Sequence, residues 1–524
     1  MESAEWRMIV SGDGDPRYKG GYQQMGLRVR SSRVGMAGLE VGTDMLAKYG
    51  TTLARIHPVR EALVRATESS LASIRDTALT QGFRPPGVDW DRYELGMSLL
   101  HSIVRVLEED RVSPATRKAL FRIIVRNNLF LQGSWEAKEG FKARNGCYPP
   151  DIMLMSPGKG CNLKCTGCYA DSGATREKLH WDTLTRLIGE AHDLLGNRLF
   201  AFSGGEPLSY HSEGKGVLDI AERYPDSLFI MYTNATLIDD DMAKRMGELG
   251  NITPAISVEG LRGPTEERRG KGVFDRILAA MERLRREKVL FGMSLTATRL
   301  NSDDLLSDRA VEFYFDRHGA SYAWIFHYMP IGRSITLDLM PTPEQRARLW
   351  KRSWELIRNR RLFIADFWNM ATVTDGCISA GREGGYWTVD WNGAVMPCVF
   401  FPYAAANINE AYANGETIED IWARPFFAGI REWQKGKGFH GPDKGDDSNW
   451  LMPCPMRDCH ADGRRLLLEH EPEPQDENAR EALNDPDYAA GLMAYDSALE
   501  KLTRPTWEEE YVREGGRSKG SPAG

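Results

Sequence analysis

The apolar positions change period along the chain, and the changes divide it into regions. From about residue 36 to 130 the repeat is helical: Val59, Leu63, Ala66, Leu71 and Ile74 share one stripe, and Ser113-Pro114 supplies a cap residue and a first-turn proline for a further helix. From about 150, short apolar runs alternate with amphipathic segments. Asp151 to Ser156, Leu199 to Phe202, Leu228 to Tyr232, Ile252 to Val258, Phe291 to Ala297 and Tyr322 to Tyr328 read as strands. Between them lie helical faces such as Leu184, Leu187, Ile188, Ala191, Leu194 and Leu195, and the segment Val273 to Arg286. This alternation predicts a parallel sheet with helical crossovers. Further on, Thr388 to Cys398 reads as a hairpin turning at Asn392-Gly393, which delivers Cys398 at the end of its second strand.

The pattern gives an α/β chain in five parts: a Gly-, Arg- and Ser-rich flexible segment at 1–35, a helical domain at 36–145, the strand–helix region at 150–335, a small α+β domain carrying cysteines at 370–465, and an acidic tail at 466–524. The tail is expected to hold one helix, roughly Tyr488 to Leu502, and to end in disorder over Gly515 to Gly524. A length of 524 residues is past single-core size. With 67 Lys plus Arg against 74 Asp plus Glu, the net charge of −7 gives no global attraction to nucleic acid or anionic membrane. The N-terminus lacks the pattern of a signal peptide, and no run of 18 apolar residues occurs, so the chain reads as cytoplasmic without a transmembrane segment.

The eight cysteines are too sparse for a disulfide scaffold, and they group as three, then four, with Cys147 left over. Cys161, Cys165 and Cys168 stand at CxxxCxxC spacing, so three thiolates converge on one loop, one short of the four that an ordinary iron–sulfur or structural zinc site requires. A cubane held by three cysteines keeps one iron open for a small molecule, whereas a structural zinc completed by a distant residue is the bland alternative. Further motifs fall at the carboxyl ends of the expected strands, the face where parallel sheets build their sites: Ser203-Gly204-Gly205-Glu206-Pro207, Thr233-Asn234, Ser257-Val258-Glu259-Gly260 and Arg269-Gly270. Taken singly, Thr233, Asn234 and Ser257 read equally as capping or turn residues.

In motif order and interval the chain resembles the radical SAM superfamily. That resemblance implies a partial (βα)6 TIM-like barrel, a [4Fe–4S] cluster on Cys161, Cys165 and Cys168, and S-adenosylmethionine (SAM) chelated to the open iron. It implies that Gly204 and Gly205 let the backbone approach the methionine moiety, that Glu206 meets its ammonium, that Thr233, Asn234 and Ser257 meet ribose hydroxyls or the carboxylate, and that the Arg269 fork pairs with the carboxylate. Met329-Pro330-Ile331-Gly332 resembles the stretch that lines adenine in relatives. The family's aromatic residue before the third cysteine is replaced here by Gly167, with Tyr169 one place beyond the cysteine.

Cys377, fifteen residues, Gly393, four residues, Cys398 resembles the opening of the auxiliary-cluster domains called SPASM or twitch, and Ile418 to Trp422 is typical of that region. With Cys454 and Cys459 the set suffices for one auxiliary [4Fe–4S] cluster; a four-cysteine zinc site stays open, because spacing does not choose between the metals. The function implied is an enzyme of oxidoreductase or transferase type: reduction of SAM, supplied with electrons by a flavodoxin or ferredoxin, and hydrogen abstraction from a peptide or protein side chain. A small metabolite or lipid substrate is the first alternative and a non-catalytic electron-transfer protein the second.

Overall fold

The computed structural model describes residues 57–122, 134–439 and 448–513. The expected flexible segment 1–35, the beginning of the 36–145 region and the terminal 515–524 stretch lie outside the described residues.

The apolar runs become strands β1 (Ile152–Met155), β2 (Leu199–Phe202), β3 (Leu228–Thr233), β4 (Ile252–Val258), β5 (Gly292–Ala297), β6 (Tyr322–His327), β7 (Phe363–Asp366), β8 (Tyr386–Val389), β9 (Ala394–Met396), β10 (Tyr403–Ala404), β11 (Ala406–Asn407) and β12 (Glu473–Pro474). Ten of them form one sheet in the order β11-β9-β8-β1-β2-β3-β4-β5-β6-β7. From β8 through β7 the neighbours are parallel; β9 returns antiparallel to β8, and β11 to β9. Phe200, Phe202 and Phe229 stack in the core, and helical faces such as Leu184, Leu187 and Ile188 or Ile277, Met281 and Leu284 are buried against the sheet. Covering both faces is what a parallel sheet requires.

The expected parallel strand–helix alternation is present: β1 to β6 pair in chain order within a longer, open sheet whose terminal strands β11 and β7 do not pair. The hairpin of the 370–465 region joins the same sheet, β8 adding parallel to β1. The reason is the unpaired backbone that six strands would leave at each edge. On one side Asp151 and Ile152 N–H groups reach the Gly385 carbonyl and Ser156 N–H the Val389 carbonyl; on the other, Phe367 N–H reaches the Ile325 carbonyl. Strand β7, Phe363–Asp366, is not among the strands read from the sequence.

The hairpin turn forms because the Asp390 carboxylate accepts from Asn392 N and Ala394 N, both at 2.9 Å, while Gly393 takes φ +87°. Upstream helices His57–Gln81, Pro86–Glu108, Pro114–Phe121 and Trp135–Asn145 pack outside the sheet. Ser113 caps its helix through Thr116 N at 3.0 Å and ties it to the body through Gly247 O at 2.8 Å. Of the first stripe, Leu71 packs near Gly96, but Leu63 and Ile74 are exposed against the described residues. In the tail, Glu477–Asn484 and Pro486–Thr506 are both helical, and Ala482, Tyr488 and Leu492 build a small second core with Tyr328 and Met340. No helix among the described residues is long and apolar enough to cross a membrane.

Candidate functional site

The Cys161–Cys168 loop, Ser203 to Pro207, Thr233-Asn234, Ser257 to Gly260 and Met329 to Gly332 lie at or just after the carboxyl ends of the parallel strands β1, β2, β3, β4 and β6. The segment leaving β1 is docked on the Gly-Gly-Glu turn after β2: Gly205 N–H donates to Gly158 O at 3.0 Å and Glu206 N–H to Gly160 O at 2.9 Å. A Cβ on Gly205 would stand 2.1 Å from Gly160 O, and one on Gly204, at φ +100°, would stand 2.8 Å from the Ser156 Cβ. The two glycines are therefore required by the approach of protein backbone to protein backbone just ahead of Cys161. Tyr169 adds a second tie, since its hydroxyl accepts from Gly204 N at 2.9 Å and shares a 2.6 Å hydrogen bond with Ser203.

The loop carrying Cys161, Cys165 and Cys168 is gripped from two further directions. After β6, Arg333 donates to Cys165 O (2.6 Å), pairs with Asp171 (3.0 Å), reaches Ser172 O, and gives its backbone N–H to Cys168 O (3.0 Å). After β4, Arg268 and Thr166 exchange backbone and side-chain bonds at 3.0 and 3.1 Å. The sulfurs meet nitrogen donors: Leu163 N lies 3.4 Å and Asn234 Nδ2 3.8 Å from Cys161 Sγ, and Arg269 Nη1 lies 4.0 Å from Cys165 Sγ. Burial pushes the Cys161 thiol up to about 11, so a bound metal must displace its proton. Among the described residues, no group of three or more His, Cys, Asp or Glu side chains closes on a single ion. The donor set of three half-exposed thiols, two of them facing nitrogen donors, fits soft iron in a cluster, which spans more space than one ion.

The residues expected around SAM are found in two buried networks. Glu206 accepts from Thr233 Oγ1 (2.7 Å), Asn234 N (2.8 Å) and Leu208 N (3.1 Å), and burial raises its pKa above the ordinary carboxylate range. Its carboxylate thus fixes the end of β3, and Thr233 and Asn234 belong to the same unit. Arg269 forks onto Glu259 at 2.7 and 2.6 Å, and Arg268 reaches the same carboxylate at 2.6 Å. Burial works to raise the Glu259 pKa, yet the two guanidiniums hold it below the usual range. Ser257 is half-buried on β4, beside Ser294 of β5. Gly167 has φ +61°, and a Cβ there would stand 2.6 Å from the Tyr328 ring: an aromatic arriving from the end of β6 fills the space beside the third cysteine. Glu259 stood in a quoted motif without a role of its own, and Arg333 and Tyr328 were given none. The one available signal was an acidic residue directly after a strand, ten places ahead of Arg269.

In the second group Cys377, Cys398 and Cys454 line one cavity of about 100 Å³ with Trp368, Tyr386 and Phe400. Cys398 Sγ accepts from the Tyr386 hydroxyl at 2.7 Å and from Phe400 N at 3.3 Å, and Cys377 donates to Ser379 Oγ at 3.2 Å. Burial pushes the Cys454 thiol up to about 12. Cys459 is not part of that lining; its thiol donates to Met452 O at 3.6 Å. Three thiols facing one apolar, aromatic-walled space fit an iron–sulfur cluster. The two cysteine groups are bridged by rings, Tyr169 lying 5.8 Å from Phe400 and Phe400 4.8 Å from Trp368.

Residues 155–304 match the Radical SAM superfamily profile, and residues 377–459 match that of SPASM, an iron–sulfur cluster-binding domain. The AdoMet-dependent heme synthase of Methanosarcina barkeri is 24% identical over 321 residues, which cover 55% of this chain and 87% of that protein. The cysteine-type anaerobic sulfatase-maturating enzyme of Clostridium perfringens is 28% identical over 170 residues, 29% of this chain and 45% of that protein, so the match spans less than half of the maturase. Streptococcus suis SuiB, solved bound to precursor peptide SuiA, aligns with a TM-score of 0.46 at 17% identity, over 61% of this chain and 72% of that one. The matched domains imply a [4Fe–4S] cluster and SAM as cofactors. The chain therefore carries a radical SAM domain followed by a SPASM iron–sulfur cluster-binding domain.

Proposed function

We propose that the protein reductively cleaves SAM at a cluster held by Cys161, Cys165 and Cys168 and takes a hydrogen atom from a peptide or protein side chain. The observation that carries this reading is the loop itself: three half-exposed thiols at the carboxyl edge of a parallel sheet, with Asn234 and Arg269 nitrogens turned toward sulfur. When bound, the cluster and SAM supply the electron and the 5′-deoxyadenosyl radical. The chain's residues position and enclose. Gly204 and Gly205 set the height of the loop, Glu206 locks Thr233 and Asn234, and Arg269 with Glu259 places positive charge next to Cys165. Ser257, half-buried on β4, is the polar group assigned to SAM from that strand. Cys377, Cys398, Cys454 and Cys459 are assigned to one auxiliary [4Fe–4S] cluster, and a flavodoxin or ferredoxin to the role of electron donor. The maturase named above supports the choice of a peptide substrate.

The heme synthase match, which runs across 87% of that protein, favours a second reading in which the substrate is a small molecule. Anaerobic reconstitution followed by dithionite and SAM tests the chemistry: wild type should release 5′-deoxyadenosine and the Cys161/Cys165/Cys168→Ala variant none. Equal yields from both would overturn the proposal. Stimulation of deoxyadenosine release by a peptide library, but not by iron tetrapyrroles, selects the peptide reading; the reverse selects the second.

A further inference from the structure

Arg457 lies between the last two cysteines, in Cys454-Pro455-Met456-Arg457-Asp458-Cys459. Its side chain is fully buried, yet only Nε finds a partner, the Asp458 carboxylate at 3.2 Å. Nη1 and Nη2 make no hydrogen bond. Asp458 is already committed: its two oxygens take the Arg346 fork at 2.5 and 3.0 Å, and Oδ2 also accepts from Cys454 N at 3.3 Å. The guanidinium carbon of Arg457 lies 4.6 Å from the centre of the Trp368 ring; Trp368 and Cys454 line the cavity shared with Cys377 and Cys398, Arg457 itself is not in that lining, and its charge acts on the Cys454 thiol. A guanidinium cannot discard its charge, and a buried donor without an acceptor is rare enough to require an explanation.

We propose that Arg457 is a positioning residue for the auxiliary cluster, its free Nη groups donating to cluster sulfur and its charge raising the cluster's reduction potential. The proposal rests on the auxiliary-cluster reading of the second cysteine group. Hydrogen bonds to the sulfurs and local net charge are two of the levers that set such potentials, and partners outside the ligand shell tune a metal site through them. A guanidinium that merely packed on Trp368 would act on the potential through its charge alone and make no hydrogen bond to cluster sulfur.

The test uses the reconstituted full chain in the Cys161/Cys165/Cys168→Ala background, which isolates the second centre. Redox titration followed by EPR is expected to show a more negative midpoint for Arg457→Gln than for the parent, with a smaller shift for Arg457→Lys. An unchanged midpoint in Arg457→Gln with full iron content overturns the proposal. For the case in which Arg457→Gln loses the cluster outright, pulsed EPR on the unsubstituted Arg457 protein labelled with 15N-guanidinium arginine gives an independent answer. Coupling of the reduced cluster to 15N that Arg457→Lys abolishes supports the proposal, because Arg382, bonded to Cys377 O, is labelled as well; no coupling, or coupling unchanged in Arg457→Lys, overturns it. Zinc in place of iron in the second centre, read by metal analysis, overturns the auxiliary-cluster reading together with the proposal. Full iron with neither potential shift nor 15N coupling overturns the role of Arg457 alone.

Discussion

Replacing Glu259 with Gln removes a buried charge that two half-buried arginines share, and the cost follows from the geometry. The carboxylate is 1% exposed and accepts three short bonds, at 2.7 and 2.6 Å from Arg269 and 2.6 Å from Arg268. Among the described residues Arg269 forms no other ion pair, and its Nη1 also lies 4.0 Å from Cys165 Sγ. Breaking a buried pair by removing one partner leaves an uncompensated charge and costs about 3–5 kcal/mol. For a domain of 150–250 residues that corresponds to a fall in Tm of roughly 6–20 °C. Thermal melts and urea unfolding of the anaerobic protein read the loss. Iron content is expected to fall with it, because Arg268 also holds Thr166 in the cysteine loop. The exposed Arg262–Asp275 pair is the control, and Arg262→Ala should leave the transition in place. The pH dependence has a fixed sign. With the folded Glu259 pKa held below its ordinary 4.5, its ionised form stabilises the fold above that pH, and the contribution disappears as pH falls through the folded value. Glu259→Gln should therefore flatten the acid limb of the stability profile. A Glu259→Gln protein that melts with wild type and keeps its iron would refute the reasoning.

Other consequences are equally specific. Tyr169→Phe strands the Gly204 N–H and should cost about 1–3 kcal/mol in urea unfolding, whereas an effect no larger than that of a surface substitution would remove Tyr169 from the loop's support. Gly167→Ala, at positive φ and 2.6 Å from the Tyr328 ring, should destabilise by about 1–3 kcal/mol. Part of that loss should be recovered in Gly167→Ala/Tyr328→Ala, and strict additivity would show that the two positions do not share one space. Cys147→Ala should retain full iron, because Cys147 lies ahead of β1 and is not in the lining of the cavity shared by Cys377, Cys398 and Cys454. Loss of iron in that variant would place Cys147 among the ligands. Cys398→Ala should lose the second centre's iron while leaving that of Cys161, Cys165 and Cys168, as judged by metal analysis of the two single-centre backgrounds.

The sequence by itself determined the parallel strands and the chemistry at their ends. Apolar runs of four to seven residues spaced by amphipathic helices leave little choice but a two-sided sheet, and the spacing of Cys161, Cys165 and Cys168 is a local property of one loop. Asn392-Gly393 likewise carried its own turn, because the Asp390 cap and the positive φ of Gly393 are both local. What only the tertiary structure decided was pairing between segments far apart in the chain. β8 completes the edge of β1 across more than two hundred residues because exposed backbone groups take whichever strand the fold delivers. Arg269 is met by Glu259 because a buried charge takes the nearest buried countercharge, and Tyr328 fills the room beside Gly167 because cores do not tolerate the void. Glycine spacing marked Gly204 and Gly205 as points of close approach; that the approaching partner is the protein's own Gly158 to Gly160 backbone is a fact of the folded chain, since hydrogen-bond partners are chosen by proximity in space rather than along the sequence.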